Sequence, residues 1–270
     1  MDPLLLMAFV AFCVMAVLRR RELFERRANF RSAVVPVLAS LAVFLVSLLL
    51  TLDQVAPVAK AFTIHVVMYV ALGVWLPLYW TFKVEGGRFS DIGFRRDNLV
   101  LSILCNLALG GFLTTVMILQ ADWATIDAGV FLKALFVLLT GNFFELVFYY
   151  GFVHLRLRDA FGPVVAIPVT AFLYVLWHAG TELMLVDDPW QAALSLFVVG
   201  ILFQSVFAWT YNLAIIFPFF VAGGVMLDFT VQIEALDAVA PFVGWSALAW
   251  CLYAIGFIIS LRFSWQRRTP

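Results

Sequence analysis

The sequence predicts an all-α protein, a polytopic bundle of transmembrane helices. Of its 270 residues, 64% are hydrophobic and only 13% are charged, and the mean hydropathy is +1.03. No soluble globular domain approaches these values. Apolar runs long enough to cross ~30 Å of hydrocarbon also recur along the whole chain. We therefore predict a single membrane domain over residues 1–270.

The apolar runs number about nine, each of roughly 20 residues. The first is a span rather than a signal peptide, because no basic region precedes it and no small-residue cleavage site separates it from the arginines at 19–21. The predicted spans are 3–18, 33–52, 62–82, 99–119, 130–153, 163–185, 190–210, 212–229 and 239–261.

The positive charges sort between alternate loops. With the N-terminus outside and the C-terminus cytoplasmic, all of the 17 Lys and Arg residues except Lys60 and Lys133 fall in inside segments. Positive residues concentrate in cytoplasmic loops, so this sorting supports nine spans in that orientation. We expect an integral, multi-pass protein of a prokaryotic inner (plasma) membrane, with membrane lipid as a partner and no nucleic acid.

Two ionisable groups inside the spans predict a site. Glu145 lies in span five and His178 in span six, on either side of a predicted helix-breaking turn at residues 160–163. Both lie about 16 residues from that turn, so on an antiparallel hairpin they should sit at the same depth, roughly 25 Å from its tip. A buried carboxylate paired with an imidazole could activate a water molecule, or could only lock two helices together.

Helical spacing gives each of these residues polar neighbours. Asn142 and Tyr149 share a helix face with Glu145, while Tyr174 and Glu182 share one with His178. Two further polar groups, His65 and Asp228, are weaker candidates, more typical of satisfied or interfacial positions. One histidine and one glutamate supply too few ligands for a closed protein-only metal site, so a water-activating site without a metal fits better, and no particular cofactor is indicated.

The order of motifs resembles the CPBP family of intramembrane proteases, which includes CAAX prenyl endopeptidases and bacteriocin-processing, Abi-type proteins. The segment from Glu145 to Gly151 resembles its first motif, and Tyr174 followed four residues later by His178 resembles its second. Residues 89–96 resemble a short stretch common in the family, and residues 210–218 resemble the approach to its third motif. The whole resemblance covers residues 89–228.

The sequence departs from the family pattern at three places. Leu146 stands where the second glutamate is usual, and Tyr150 stands where the family carries an arginine. The stretch matching the third motif, residues 219–226, contains neither its histidine nor its asparagine.

The resemblance implies an intramembrane glutamic-type endopeptidase that cleaves a membrane-anchored or lipidated peptide. In this reading Glu145 deprotonates water and His178 positions it or stabilises the tetrahedral intermediate. One alternative is an inactive family member that binds a hydrophobic segment or scaffolds a partner. Another is a proton-coupled transporter using the same pair, which no inverted repeat supports.

Overall fold

The computed structural model describes residues 3–23, 30–51, 55–120, 127–178, 188–223 and 240–266. All regular structure in these ranges is helical, which confirms the predicted all-α class. The main helices are α1 (Pro3–Leu18), α2 (Phe30–Leu49), α3 (Pro57–Val84), α4 (Leu99–Gln120), α5 (Ala128–Phe161), α6 (Pro163–His178), α7 (Pro189–Thr210) and α8 (Val243–Gln266).

Within the described ranges, six helices are long and apolar enough to cross a membrane, namely α2, α3, α4, α5, α7 and α8. The apolar helices α1 and α6 are shorter. Aspartates begin two of the long helices: the Asp127 and Asp188 carboxylates accept hydrogen bonds from backbone N–H groups three residues on. These helices identify an integral membrane protein.

The predicted eighth span, 212–229, does not begin as a helix. α7 ends at a left-handed residue, Tyr211, and a 3₁₀ turn from Leu213 to Ile215 follows. A cis peptide bond joins Phe217 to Pro218, and helix resumes only at residues 219–223. Because Pro218 has no N–H to donate and the left-handed Tyr211 ends α7, one continuous helix does not run from residue 210 to residue 223.

The chain divides into two compact units. The first comprises residues 1–60, 91–93 and 147–211. Within it, α7 packs against both α1 and α6, and α2 packs against α6 and the end of α5. The core of this unit includes the end of α5, where every residue from 147 to 157 is buried.

The second unit comprises residues 61–90, 94–146 and 212–270. Within it, α8 packs on α3 and on the first part of α5, and α4 packs on the 3₁₀ turn that follows α7. Aromatic rings fill this packing. Phe143 contacts Trp250, Tyr253 and Phe257 with ring centroids 5.0, 5.1 and 6.0 Å away.

The three cysteines do not occupy the core. Free cysteine is among the most buried residue types, so the apolar runs around Cys13, Cys105 and Cys251 lead us to expect small buried hydrophobic residues. In the structure Cys13 and Cys251 are exposed and Cys105 is half-buried, and all three are free thiols. That expectation was wrong because lipid surrounds such helices, and an apolar side chain loses little by facing it.

Candidate active site

A glycine turn positions the hairpin that carries His178. α5 ends at Phe161, Gly162 adopts a φ of +80°, and α6 begins at Pro163. Glycine enters this left-handed region without a Cβ penalty, and proline suits the first turn of a helix because its missing N–H has no partner there. The end of α5 and α6 pack together. The predicted helix break at residues 160–163 is confirmed.

Three aromatic and imidazole rings meet within this hairpin. The Tyr149 and Tyr174 ring centroids are 5.6 Å apart in an edge-to-face contact, and the Tyr174 and His178 centroids are 4.6 Å apart. The three residues are 0%, 7% and 4% exposed. Helical spacing placed Tyr174 on the face of His178 and Tyr149 on the face of Glu145; in the structure the rings of Tyr149, Tyr174 and His178 form one buried cluster. It brings two phenol rings and an imidazole ring together away from solvent.

Glu145 lies where the hydrogen-bonding pattern of α5 changes. The α-helical segment Ala128–Glu145 ends there, and a π-helical segment, Leu146–His154, begins at the next residue. The N–H of Leu146 still donates to the carbonyl of Asn142. Each π-helical turn holds one extra residue, and such segments often occur at functional sites.

Glu145 is half-buried rather than fully buried, and the Asn142 side chain is half-buried as well. Glu145 belongs to the second unit and His178 to the first. Their approach, inferred from hairpin symmetry, therefore stays a prediction. Two other predicted site residues, Glu182 and Asp228, lie outside the described residues.

His65 is a satisfied structural histidine, as its weaker ranking anticipated. Its Nδ1 lies 3.0 Å from the carbonyl oxygen of Ala61, and its Nε2 lies 3.3 Å from Oγ of Ser246. A neutral ring that donates from Nδ1 and accepts at Nε2 uses both nitrogens. The ring also stacks on Phe242 at 6.0 Å. It belongs to the packing of the second unit.

Sequence reasoning missed His154. This residue ends the π-helical segment, is fully buried, and packs edge-to-face on Phe207 at 5.4 Å. The Gln204 side chain lies against it, but neither ring nitrogen has hydrogen-bond geometry to any described residue. The available signal was a histidine inside an apolar run, only two residues before Arg156. A buried polar ring of this kind marks a functional candidate.

The residue at the family's arginine position packs as an apolar ring. Tyr150 is 2% exposed and contacts Phe207 with centroids 5.8 Å apart. The nearby Arg156, predicted in a cytoplasmic segment, is itself buried, and its Nη1 donates to the carbonyl of Asp91 at 3.2 Å. That bond ties residue 91 to the end of α5.

The approach to the third motif is anchored through Asn212. Its side-chain amide donates to the carbonyls of Arg95 and Asp97 at 2.8 and 3.2 Å, and its Oδ1 accepts from the N–H of Ala214. Two of the stretches that carry the family resemblance, 89–96 and 210–218, are therefore joined by hydrogen bonds.

The fold and these residues define the class: an integral helical membrane protein with a buried tyrosine–histidine cluster on a helical hairpin. Residues 127–223 match the family model of the type II CAAX prenyl endopeptidase Rce1-like proteins. This match confirms the resemblance to the CPBP proteases and includes both Glu145 and His178. No curated protein and no solved structure matched the chain.

Proposed function

We propose that the protein is an intramembrane endopeptidase of the CAAX type in which Glu145 and His178 carry the chemistry. The family match over residues 127–223 is the observation that carries this proposal, because it spans both helices on which these residues lie. The buried contact of His178 with Tyr174 supports it, since a preorganised polar cluster out of water is what transition-state stabilisation needs.

In the proposed reaction the Glu145 carboxylate takes a proton from water, and the hydroxide attacks the scissile carbonyl carbon. His178 donates a hydrogen bond to the oxyanion, with the Tyr149 or Tyr174 hydroxyl, or the Asn142 amide, as a second donor. When the tetrahedral intermediate collapses, the C–N bond breaks and the protonated Glu145 returns its proton to the leaving amine. Atoms and charges balance without a metal or other cofactor.

The substrate class we propose is a membrane-anchored or lipidated peptide, because the helices that carry both residues are apolar and suited to lipid. We further propose a single domain that crosses the membrane nine times, the eighth crossing beginning as a turn rather than as a helix, with the N-terminus outside and the C-terminus in the cytoplasm of a prokaryotic cell. The sorting of Lys and Arg among the loops supports this orientation.

The test is cleavage of lipidated and membrane-anchored peptides by the purified full chain in liposomes. Glu145→Gln and His178→Ala should each lower the rate by about 10²–10³, the usual effect of losing a catalytic base or an oxyanion donor. Glu85→Gln is the matched control, since Glu85 is an exposed glutamate whose carboxylate accepts a hydrogen bond from the Trp80 indole at the surface.

Two outcomes would overturn the proposal. Cleavage unaffected by both substitutions would remove these residues from the mechanism. Wild-type protein that binds such peptides but never cleaves them would favour the inactive binding or scaffold protein. Separately, disulfide formation between Glu145→Cys and His178→Cys tests whether the two positions come together, independent of any activity.

A further inference from the structure

Two arginines converge on one tyrosine at the end of the first unit where α1 and α7 finish. The guanidinium carbons of Arg19 and Arg158 each lie 4.4 Å from the centroid of the Tyr211 ring. Both cations therefore pack against the same aromatic ring, which attracts them through its π-electrons. Two guanidinium groups are thus held at one ring.

Arg19 is fixed in this position by the end of α7. Its Nε and Nη2 donate to the carbonyls of Ala208 and Trp209, both at 2.9 Å. Carbonyls in the last turn of a helix have no partner within the helix, so the arginine stabilises that helix end. Nη1 also contacts Glu22 at 3.1 Å.

The local charge balance is positive. Arg158 pairs with the aspartate that follows it at 2.6 Å, and Arg19 pairs with Glu22, but Arg20 and Arg21 are exposed beside them. After these two pairings the charges of Arg20 and Arg21 remain, so this end of the unit carries a net positive charge.

The tyrosine that both arginines contact does not neutralise them. Burial raises the pKa of Tyr211 to about 12, so at neutral pH its phenol is uncharged. A guanidinium carries five N–H donors, and the contacts described leave some on each arginine for an anion.

An apolar groove lies between the helices of the same unit. It has a volume of about 330 Å³ and is formed by α1, α6 and α7, with Leu5, Phe9 and Phe12 on one side and Ile167, Pro168 and Ile201 on the other. Every residue that lines it is hydrophobic. It is therefore a site for an alkyl chain rather than for a polar ligand.

The groove and the arginines are spaced as the two parts of a lipid would require. Arg19, directly after α1, follows Phe12 by seven positions, and Ala208 follows Ile201 by seven positions in α7, a rise of about 10 Å in each case. One leaflet contributes about 15 Å of hydrocarbon beneath a headgroup layer. A phosphate held at the arginines would thus have its acyl chain at the depth of the groove.

We propose that this surface binds one anionic phospholipid, with its phosphate on Arg19 and Arg158 and one acyl chain in the groove between α1, α6 and α7. Planar guanidinium groups bind phosphate oxygens through paired hydrogen bonds, and basic pockets between membrane helices bind anionic headgroups. The lipid would join α1 to the hairpin and to α7. The site is independent of the proposed peptide cleavage.

The headgroup test measures lipid binding to the full chain by native mass spectrometry, titrating phosphatidylglycerol against phosphatidylcholine. Wild type should bind phosphatidylglycerol about tenfold more tightly, and Arg158→Gln should weaken that binding about fivefold, the usual contribution of one arginine. Arg20→Gln combined with Arg21→Gln removes two exposed charges and should have a smaller effect. Two results would overturn the proposal, because they would leave only diffuse attraction to the charged surface. One is equal affinity of the wild type for both lipids. The other is a control variant that loses as much affinity for phosphatidylglycerol as Arg158→Gln does.

The groove is tested on α7 by a matched pair of substitutions. Val198→Trp fills the groove that Val198 lines, and should reduce binding of phosphatidylglycerol several-fold. Leu194→Trp, one turn away on an exposed position, should not. Equal effects of the two substitutions, or displacement of the lipid by glycerol phosphate, which lacks acyl chains, would show that the groove takes no part.

At position 19 the headgroup site is tested with Arg19→Lys, because Arg19 also stabilises the end of α7. Lysine keeps the charge but cannot form the paired hydrogen bonds of a guanidinium, so the variant should bind phosphatidylglycerol more weakly.

Discussion

Gly110 on α4 sits where a helix and the third-motif stretch approach most closely. A Cβ added at Gly110 would lie 2.5 Å from the backbone nitrogen of Phe220 and 2.6 Å from the carbonyl carbon of Phe219. Both are backbone atoms, which cannot rotate away as a side chain can. The next residue, Gly111, has nothing within 4 Å of the same added atom. The pair is therefore a natural comparison within one helix.

The two Gly→Ala substitutions should change stability in opposite directions. Alanine in place of glycine inside a helix stabilises by about 0.5–1 kcal/mol, and this gain applies to both positions. At Gly110 the new methyl group must push α4 and residues 219–220 apart, and overpacking of this kind costs about 1–3 kcal/mol. We expect Gly111→Ala to be neutral or stabilising and Gly110→Ala to be less stable than it by about 1–3 kcal/mol.

The assay is reversible unfolding in mixed micelles, monitored by helicity, with the proposed cleavage activity measured on the same preparations. Gly110→Ala should also lower activity if the 219–223 helix supports the site. Equal stability of the two variants would refute the close packing of α4 on residues 219–220. If Gly110→Ala had normal stability but no activity, residues 219–223 would have moved at no cost in stability. That result would also contradict the close packing of α4 on residues 219–220.

Single contacts lead to four more expected outcomes. Asn212→Ala should destabilise the protein by about 1–3 kcal/mol in the same unfolding assay, because two backbone carbonyls lose their donor. The pKa of Tyr211 is raised to about 12 from 10.0, so the unfolded state loses this proton first. Stability should therefore fall as pH rises from about 10 to 12, by up to about 2–3 kcal/mol, and Tyr211→Phe should remove that part of the dependence. His154→Leu should leave stability unchanged or raise it, because burying an imidazole is itself a cost; a large loss of melting temperature would show that the contact of the ring with Gln204 outweighs that cost. Tyr174→Phe should lower the cleavage rate about tenfold with little change in KM if its hydroxyl acts only in the transition state.

The family resemblance was readable from the sequence because its motifs are local. Glu145, Tyr174 and His178 are recognised by spacing along two helices, and the turn between them by glycine and proline at 162 and 163. Such features depend on backbone preferences of a few neighbouring residues, which the sequence states directly. The contact of Tyr149 with Tyr174, which was not predicted, agrees with the same hairpin geometry, because antiparallel helices joined by a short turn pair residues at equal distances from it.

The features that were missed depend on contacts between distant segments. The π-helical segment after Glu145 has the same apolar composition as the α-helix before it, so hydropathy could not separate them. Burial of Arg156 depends on the carbonyl of Asp91, which lies 65 residues away in the chain. The exposure of Cys13 could not be read from its apolar run, because in a membrane both the core and the surface are apolar.

The sequence by itself determined that this chain is a helical membrane protein, where its hairpin turns, and which carboxylate and imidazole mark the candidate site. Only the tertiary structure decided that His178 joins two tyrosines in one buried cluster, that His154 is buried beside Gln204, and that Arg19 reaches Tyr211. The physical reason is that lipid and protein interior are equally apolar, so hydropathy identifies membrane helices but not their partners. Those partners are set by packing and by hydrogen bonds between segments far apart in the chain.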